Sequence, residues 1–137
     1  MKDSSLMYTE AILDHYKNPR NSGNIADAQI RQRGINPICG DDIELTLKVE
    51  ADVVKDAKFT SNSCAISTAS ADMLLTKIKG KTIAQAESIT SDDAVSALHI
   101  PISPARIKCA VLPLVTLKDG INSFKKKSKE NKTSTTE

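Results

Sequence analysis

A chain of 137 residues, 39% hydrophobic and 26% charged, has the balance of one globular domain and little length for a second. Aromatics at 3% and no tryptophan leave the core to Ile, Leu, Val, Ala and Met. The net charge of +2, with Lys and Arg spread out except at Lys125-Lys126-Lys127, argues against a basic nucleic-acid face, and no segment approaches the ~20 apolar residues of a membrane span.

The N-terminal stretch MKDSSLMYTEAILDHY has acidic residues and no long apolar run, so no secretory leader is read there and a soluble, cytoplasmic protein is expected. Leu6 to Tyr16 has helical spacing and stops before Asn18-Pro19, because the residue preceding a proline disfavours helix. Gln29 to Arg33 alternates enough for a short strand. Ile43, Leu45, Leu47 and Val49 alternate with Asp42, Glu44, Thr46 and Lys48, the period of a half-buried antiparallel strand. A turn at Glu50 to Asp52 leads to a second alternating run, Val53 to Thr60, which should pair with it as a hairpin.

Cys64 then stands at the N-terminus of a predicted helix over 65–79, with Ile66, Ala69, Met73, Leu74 and Ile78 on one face and Gly80 as its stop. Two short helices follow, 83–89 capped by Thr82 and 94–98 capped by Ser91 with Asp92 and Asp93. Ser103-Pro104 repeats the cap signal, and the apolar run 110–124 predicts a final helix beginning near Cys109. Pro113 fits only if that helix starts a residue or so earlier, since a proline well inside costs about 3 kcal/mol. The ordered domain is thus set at 1–124, with 125–137, rich in Lys, Ser and Thr, expected to be a disordered tail.

Cys39, Cys64 and Cys109 are all the thiols of the chain. An odd set cannot close completely into intramolecular disulfides, and a reducing cytosol would keep the thiols available for ligation or sulfur chemistry. Cys39 and Asp41 are two residues apart and leave the same face of an extended backbone, with Asp42 on the other, while Gly40 lets the chain bend close to a bound ion or cluster. All three cysteines fall at predicted element ends. A helix N-terminus favours the thiolate, and Lys108 and Arg106 would offset the negative charge of the site. Three soft thiolates suit zinc or an iron-sulfur cluster, and a carboxylate as fourth ligand is harder and more exchangeable than a fourth cysteine. His15 and His99 read as packing or surface residues, since neither lies near a cysteine in sequence.

Tyr8, ILDHYKNPRNSG at 12 to 23, NPICGDDIEL at 36 to 45, DAKFTSNSCAISTASADML at 56 to 74, IKGK at 78 to 81 and ARIKCAVL at 105 to 112 together resemble the U-type iron-sulfur cluster assembly scaffolds, which include the N-terminal domain of NifU and the IscU and SufU proteins. The resemblance implies an α+β fold of the NifU N-terminal/SufE-like kind, a small antiparallel three-stranded sheet packed against about five helices. It carries Cys39, Asp41, Cys64 and Cys109 over as ligands of a transient [2Fe-2S] cluster or of Zn2+. Its implied partners are a cysteine desulfurase and acceptor apo-proteins or a carrier, with no nucleic acid and no membrane, the chain being a monomer or weak dimer.

Cys39, Cys64 and Cys109 are then candidates for the persulfide acceptor, Cys39 favoured in a zinc mode and Cys109 in a scaffold mode, with Lys108 and Arg106 in electrostatic or docking roles. Lys108, where the IscU branch has histidine, leans toward SufU, a zinc-bearing sulfur acceptor. The 45-residue interval from Cys64 to Cys109 resembles the shorter IscU spacing. Ser63 in place of the usual glycine, and Pro113, depart from the family pattern. The expected function is iron-sulfur cluster assembly with sulfur taken from the desulfurase, or alternatively zinc-dependent sulfur transfer.

Overall fold

A computed structural model describes residues 4–37, 40–98 and 104–136. In chain order the elements are α1 (Ser4–Lys17), β1 (Ile30–Asn36), β2 (Asp41–Glu50), β3 (Val53–Asn62), α2 (Ala65–Ile78), α3 (Ile83–Glu87), α4 (Ser91–Ser96) and α5 (Pro104–Thr136). This is the α+β arrangement the family pattern implies, a three-stranded antiparallel sheet in the order β1-β2-β3 with five helices.

The alternation in β2 decides which face is inside. Ile43, Leu45, Leu47 and Val49 are buried and pack with Ile30, Val54, Ala57 and Phe59 onto Leu74, Leu75 and Ile78 of α2 and Leu114, Leu117 and Ile121 of α5. Burying each such side chain contributes about 1.5–3 kcal/mol against solvent exposure, so the inner face holds both helices without a tryptophan. A smaller cluster, Ile12, Ala69, Leu98 and Ala110, joins α1 to α2 and α5.

Two features were not read from the sequence. Residues 21–29 form a strap that crosses the outer face of the sheet. It begins at the free edge of β3, where the Asn21 carbonyl accepts from the Phe59 N–H at 2.8 Å. It then passes over Thr46, whose hydroxyl accepts from the Ile25 N–H at 3.1 Å, and it reaches β2 again where the Gln29 N–H donates to the Leu47 carbonyl at 3.0 Å. Thr46 is buried beneath it although it points away from the core. Second, α5 lies unusually close to β1: a Cβ on Gly34 would fall 1.8 Å from Thr116 Oγ1, and one on Gly120 would fall 2.9 Å from Ile30 Cγ2.

The structure corrects three helix boundaries. Thr90, not Ser91, caps α4, in a reciprocal pair with Asp93. The final helix starts at Pro104, a residue pre-set for a first helical turn, so Cys109 lies in its second turn rather than at its start, and Pro113 is well inside. Pro113 cannot donate to the carbonyl of residue 109, but α5 is anchored on both sides of it, by Ala110 on α2 and by Thr116 against β1. The same helix runs on through 125–136, where composition suggested disorder; Lys and Glu are good helix formers and extend a helix already nucleated. The expected Ser103 cap lies outside the described residues.

Candidate metal centre

Gly40 has φ of 73°, a left-handed conformation, and turns the chain so that Asp41 enters β2 on its inner face, opposite Asn36. Asp42 points outward, where the Arg33 guanidinium holds its carboxyl below the usual carboxylate range. The two adjacent aspartates therefore do different things. Asp41 is 1% exposed, and its Oδ1 accepts from the Cys64 N–H at 3.1 Å.

Cys64 is the N-cap of α2. Its backbone is extended, and its Sγ accepts from the Ser67 N–H at 3.4 Å, a first-turn amide that has no carbonyl partner within the helix, the placement that a helix start offers to a thiolate. Ser63 fastens the loop before it: the Asp42 N–H donates to the Ser63 hydroxyl at 3.0 Å, and that hydroxyl donates back to the Asp42 carbonyl at 3.2 Å. The departure from glycine at this position thus adds a stitch between β2 and the β3–α2 loop. Cys109 comes from α5 and is 1% exposed. The Ser70 hydroxyl donates to the Ala110 carbonyl at 2.6 Å, which pins this turn of α5 to α2.

One oxygen of Asp41 and the sulfurs of Cys64 and Cys109 all lie within 4.8 Å of one another. Two thiolates on a tetrahedral zinc, each about 2.3 Å from it, are about 3.8 Å apart, so contraction by no more than about 1 Å would let these groups share an ion. Cys64 and Cys109 are not joined by a disulfide. The donor chemistry fits a soft metal, and Asp41 Oδ2 fits it further: that oxygen is buried and has no hydrogen-bond partner among the described residues. A desolvated carboxylate oxygen left unpaired is costly unless a cation completes it. Ser67 Oγ, on the same first turn of α2, is also buried without a partner among the described residues.

The structure brings together three of the four expected ligands. Cys39 lies outside the described residues, as does the Arg106 side chain, although Arg106 itself falls in the first turn of α5. Lys108 is exposed on α5, and His15 is held by Asp72 at 2.6 Å, away from ligation. A polar cleft of about 340 Å³, lined among others by Tyr16, Ser22, Asn62, Ser63 and Thr68, opens beside the Cys64 loop. Of the described thiols, only Cys64 is partly exposed. Sequence reasoning gave Ser67 and Ser70 no role, although both fall inside the family motif at 56 to 74, and they stand out only as i, i+3 neighbours leading away from Cys64. No helix among the described residues is long and apolar enough to cross a membrane.

Residues 7–131 match the family described as NifU-like N terminal domain. The zinc-dependent sulfurtransferase SufU of Bacillus subtilis (strain 168) is 41% identical over 132 residues, covering 84% of this chain and 89% of its own. The iron-sulfur cluster assembly scaffold protein IscU of Buchnera aphidicola subsp. Schizaphis graminum is 34% identical over 130 residues, covering 92% and 100%. Among solved structures, an iron-sulfur cluster assembly scaffold protein for the SUF system from Fervidobacterium islandicum AW-1 superposes with a TM-score of 0.73 at 29% identity, covering 87% of this chain and 99% of that one. The N-terminal NifU-like protein of Brucella abortus, at 20% identity and a TM-score of 0.70 over 88% and 95% of the two chains, shares the fold.

Proposed function

The chain belongs to the NifU-like N-terminal domain family, and on that premise we propose that it takes sulfur from a cysteine desulfurase and assembles or transfers an iron-sulfur cluster. The observation that carries this reading is the convergence of Asp41, Cys64 and Cys109, from a strand, a helix cap and a helix, on one spot with an uncompensated carboxylate oxygen. Cys39, by its place in the family pattern, is the fourth ligand.

In the sulfur step a thiolate of the site attacks the outer sulfur of the desulfurase's cysteine persulfide. A new S–S bond forms as the donor's S–S bond breaks, and the desulfurase cysteine leaves as thiolate with the electron pair, so no oxidant is consumed. Cys64 is the described thiol best placed to meet an incoming sulfur, because it is partly exposed while Cys109 is buried. Cys39 and Cys109 are the other candidates. Lys108 and Arg106, at the start of α5, supply positive charge for docking or for balancing the anionic site.

A second reading is favoured by the 41% identity to a SufU and by Lys108: zinc-dependent sulfur transfer that stimulates the desulfurase. Bound zinc would keep the ligand thiols deprotonated at neutral pH. Within the chain, Asp41 would be the ligand that lets go, since a hard carboxylate is a weaker partner than a thiolate for a metal held in a soft, thiol-rich site.

The test is sulfide release by a cognate desulfurase with dithiothreitol as reductant, in the presence of wild type and of Cys39→Ser, Cys64→Ser and Cys109→Ser. Wild type should stimulate release, and at least one variant should lose most of that stimulation; full stimulation by all three variants sinks the proposal. Metal analysis with visible absorption on anaerobically purified protein separates the readings. Iron with cluster absorption supports the scaffold, whereas one zinc per chain without it supports the transferase as the resting state.

A further inference from the structure

Ser67 is fully buried, yet its hydroxyl has no partner among the described residues. A serine inside a helix commonly relieves this by bonding the carbonyl four residues back, and here it does not. Leaving a buried hydroxyl unpaired is costly, so the position asks for an acceptor that arrives from outside the chain.

Its location says which acceptor. Along α2 the side chains of residues 64, 67 and 70 follow one another at i, i+3 spacing, with 67 angularly between the other two. Cys64 Sγ lies within 4.8 Å of Cys109 Sγ, and Ser70 Oγ bonds Ala110, the next residue of α5. Ser67 therefore sits on the stripe of α2 that meets α5 at Cys109. Its own backbone N–H already donates to Cys64 Sγ at 3.4 Å, while its hydroxyl makes no bond to that sulfur. One further sulfur atom on Cys64 extends the side chain by about 2 Å, the length of an S–S bond, and carries the negative charge outward with it.

We propose that the Ser67 hydroxyl is the hydrogen-bond donor that retains a persulfide on Cys64, donating to the outer sulfur while the Ser67 amide continues to hold Sγ. This deepens the sulfur-carrying role proposed above and rests on it. The loading step that tests it needs only inorganic polysulfide: the Cys64 thiolate takes a sulfane sulfur, the S–S bond of HSS⁻ breaks, and HS⁻ leaves.

The experiment loads wild type and Ser67→Ala with labelled inorganic polysulfide. After gel filtration it follows loss of bound sulfane sulfur to a fixed concentration of glutathione, alongside the thermal midpoint and zinc stoichiometry of unloaded protein. Ser67→Ala should lose its sulfur about tenfold faster or more, the factor one hydrogen bond to a charged acceptor supplies at the low end of its range. Its unloaded midpoint should be unchanged or higher, because a hydroxyl with no internal partner leaves nothing behind when removed, and zinc stoichiometry should match wild type. Equal retention overturns the assignment, as does a midpoint lowered by several degrees, which would mean that the hydroxyl serves the fold. Wild type that acquires no sulfane sulfur overturns the functional reading itself, and the two failures are told apart by which protein shows them.

Discussion

Among the described residues two aspartates are almost completely buried, and their surroundings are opposite. Asp72, in the middle of α2, is 0% exposed and fully occupied: Oδ1 accepts from the backbone N–H groups of Arg20 and Asn21, each at 2.9 Å, and from Asn21 Nδ2 at 3.0 Å, while Oδ2 faces His15 Nδ1 at 2.6 Å. Asp41, at 1%, has one amide on one oxygen and, among the described residues, nothing on the other. Asp72 is completed by the chain and fastens the start of the strap and α1 to α2. Asp41 is left incomplete by the described residues, and a bound cation would complete it. A buried carboxylate is structural where its donors are counted out in full and functional where they are not.

Truncating the two residues should break this comparison if it is wrong. Asp72→Ala strips two backbone amides, an amide side chain and His15 of their common acceptor, so unfolding free energy should fall by roughly 3 kcal/mol, about 10 °C in the midpoint for a domain of this size. Asp41→Ala loses one hydrogen bond but also relieves an unpaired oxygen, so metal-free protein should change by less than about 1 kcal/mol. Zinc reverses the order of importance: at 100 times its dissociation constant it should stabilise wild type by about 2.7 kcal/mol, and Asp41→Ala by clearly less. Calorimetry with and without zinc reads all of these. A large metal-free loss in Asp41→Ala would make Asp41 a structural residue like Asp72.

Asn21 sharpens the contrast from the other side. Its amide nitrogen donates to the Asp72 carbonyl and carboxylate and to Thr76 Oγ1, three acceptors that fix which end of the amide is nitrogen, while its Oδ1 is buried and has no partner among the described residues. Asn21→Ala should therefore cost about 1–2 kcal/mol, less than Asp72→Ala because two amides still reach the carboxylate. Its zinc-induced rise in midpoint should equal that of wild type. A changed zinc response would show that the lock and the site are coupled.

Much of this was legible beforehand, and the reasons differ by element. The strands β2 and β3 announce themselves because one face is core and the other water, and Cys64 could be placed at a helix start because a strand pattern gives way to a helical one at that residue. The burial of Asp72 could not be read, since Ser67 to Asp72 are buried without interruption on α2. That helix has neighbours on several sides, namely α1, β3 and α5, and a one-sided apolar stripe is the signature of one neighbour. The strap was invisible because its partners, Thr46, Leu47 and Phe59, lie about twenty or more residues away. Cys109 was placed one helix turn too early because Pro113 was weighed as a local cost, whereas the contacts at Ala110 and Thr116 that hold α5 across it are tertiary. The ligand set came from residue type and family pattern, and no pattern marked the oxygen left over on Asp41.

The smallest expected effect concerns strain that serves neither the lock nor the site. The β2–β3 hairpin turns through Ala51 and Asp52, both with positive φ, 52° and 63°. A two-residue turn of this hand matches the twist of the strands but strongly favours Asn-Gly, and alanine in the left-handed region is strained. The turn is kept in register from outside, because the Asp52 carbonyl accepts from the Ile83 N–H at 2.8 Å at the start of α3. Ala51→Asn with Asp52→Gly retains that carbonyl and should raise stability by about 0.5–1 kcal/mol. Zinc response and sulfide-release stimulation should both match wild type, since the turn lies at the opposite end of β2 from Asp41. A loss of either would mean that the strain at this end of the strand is transmitted along β2 to the carboxylate at the other.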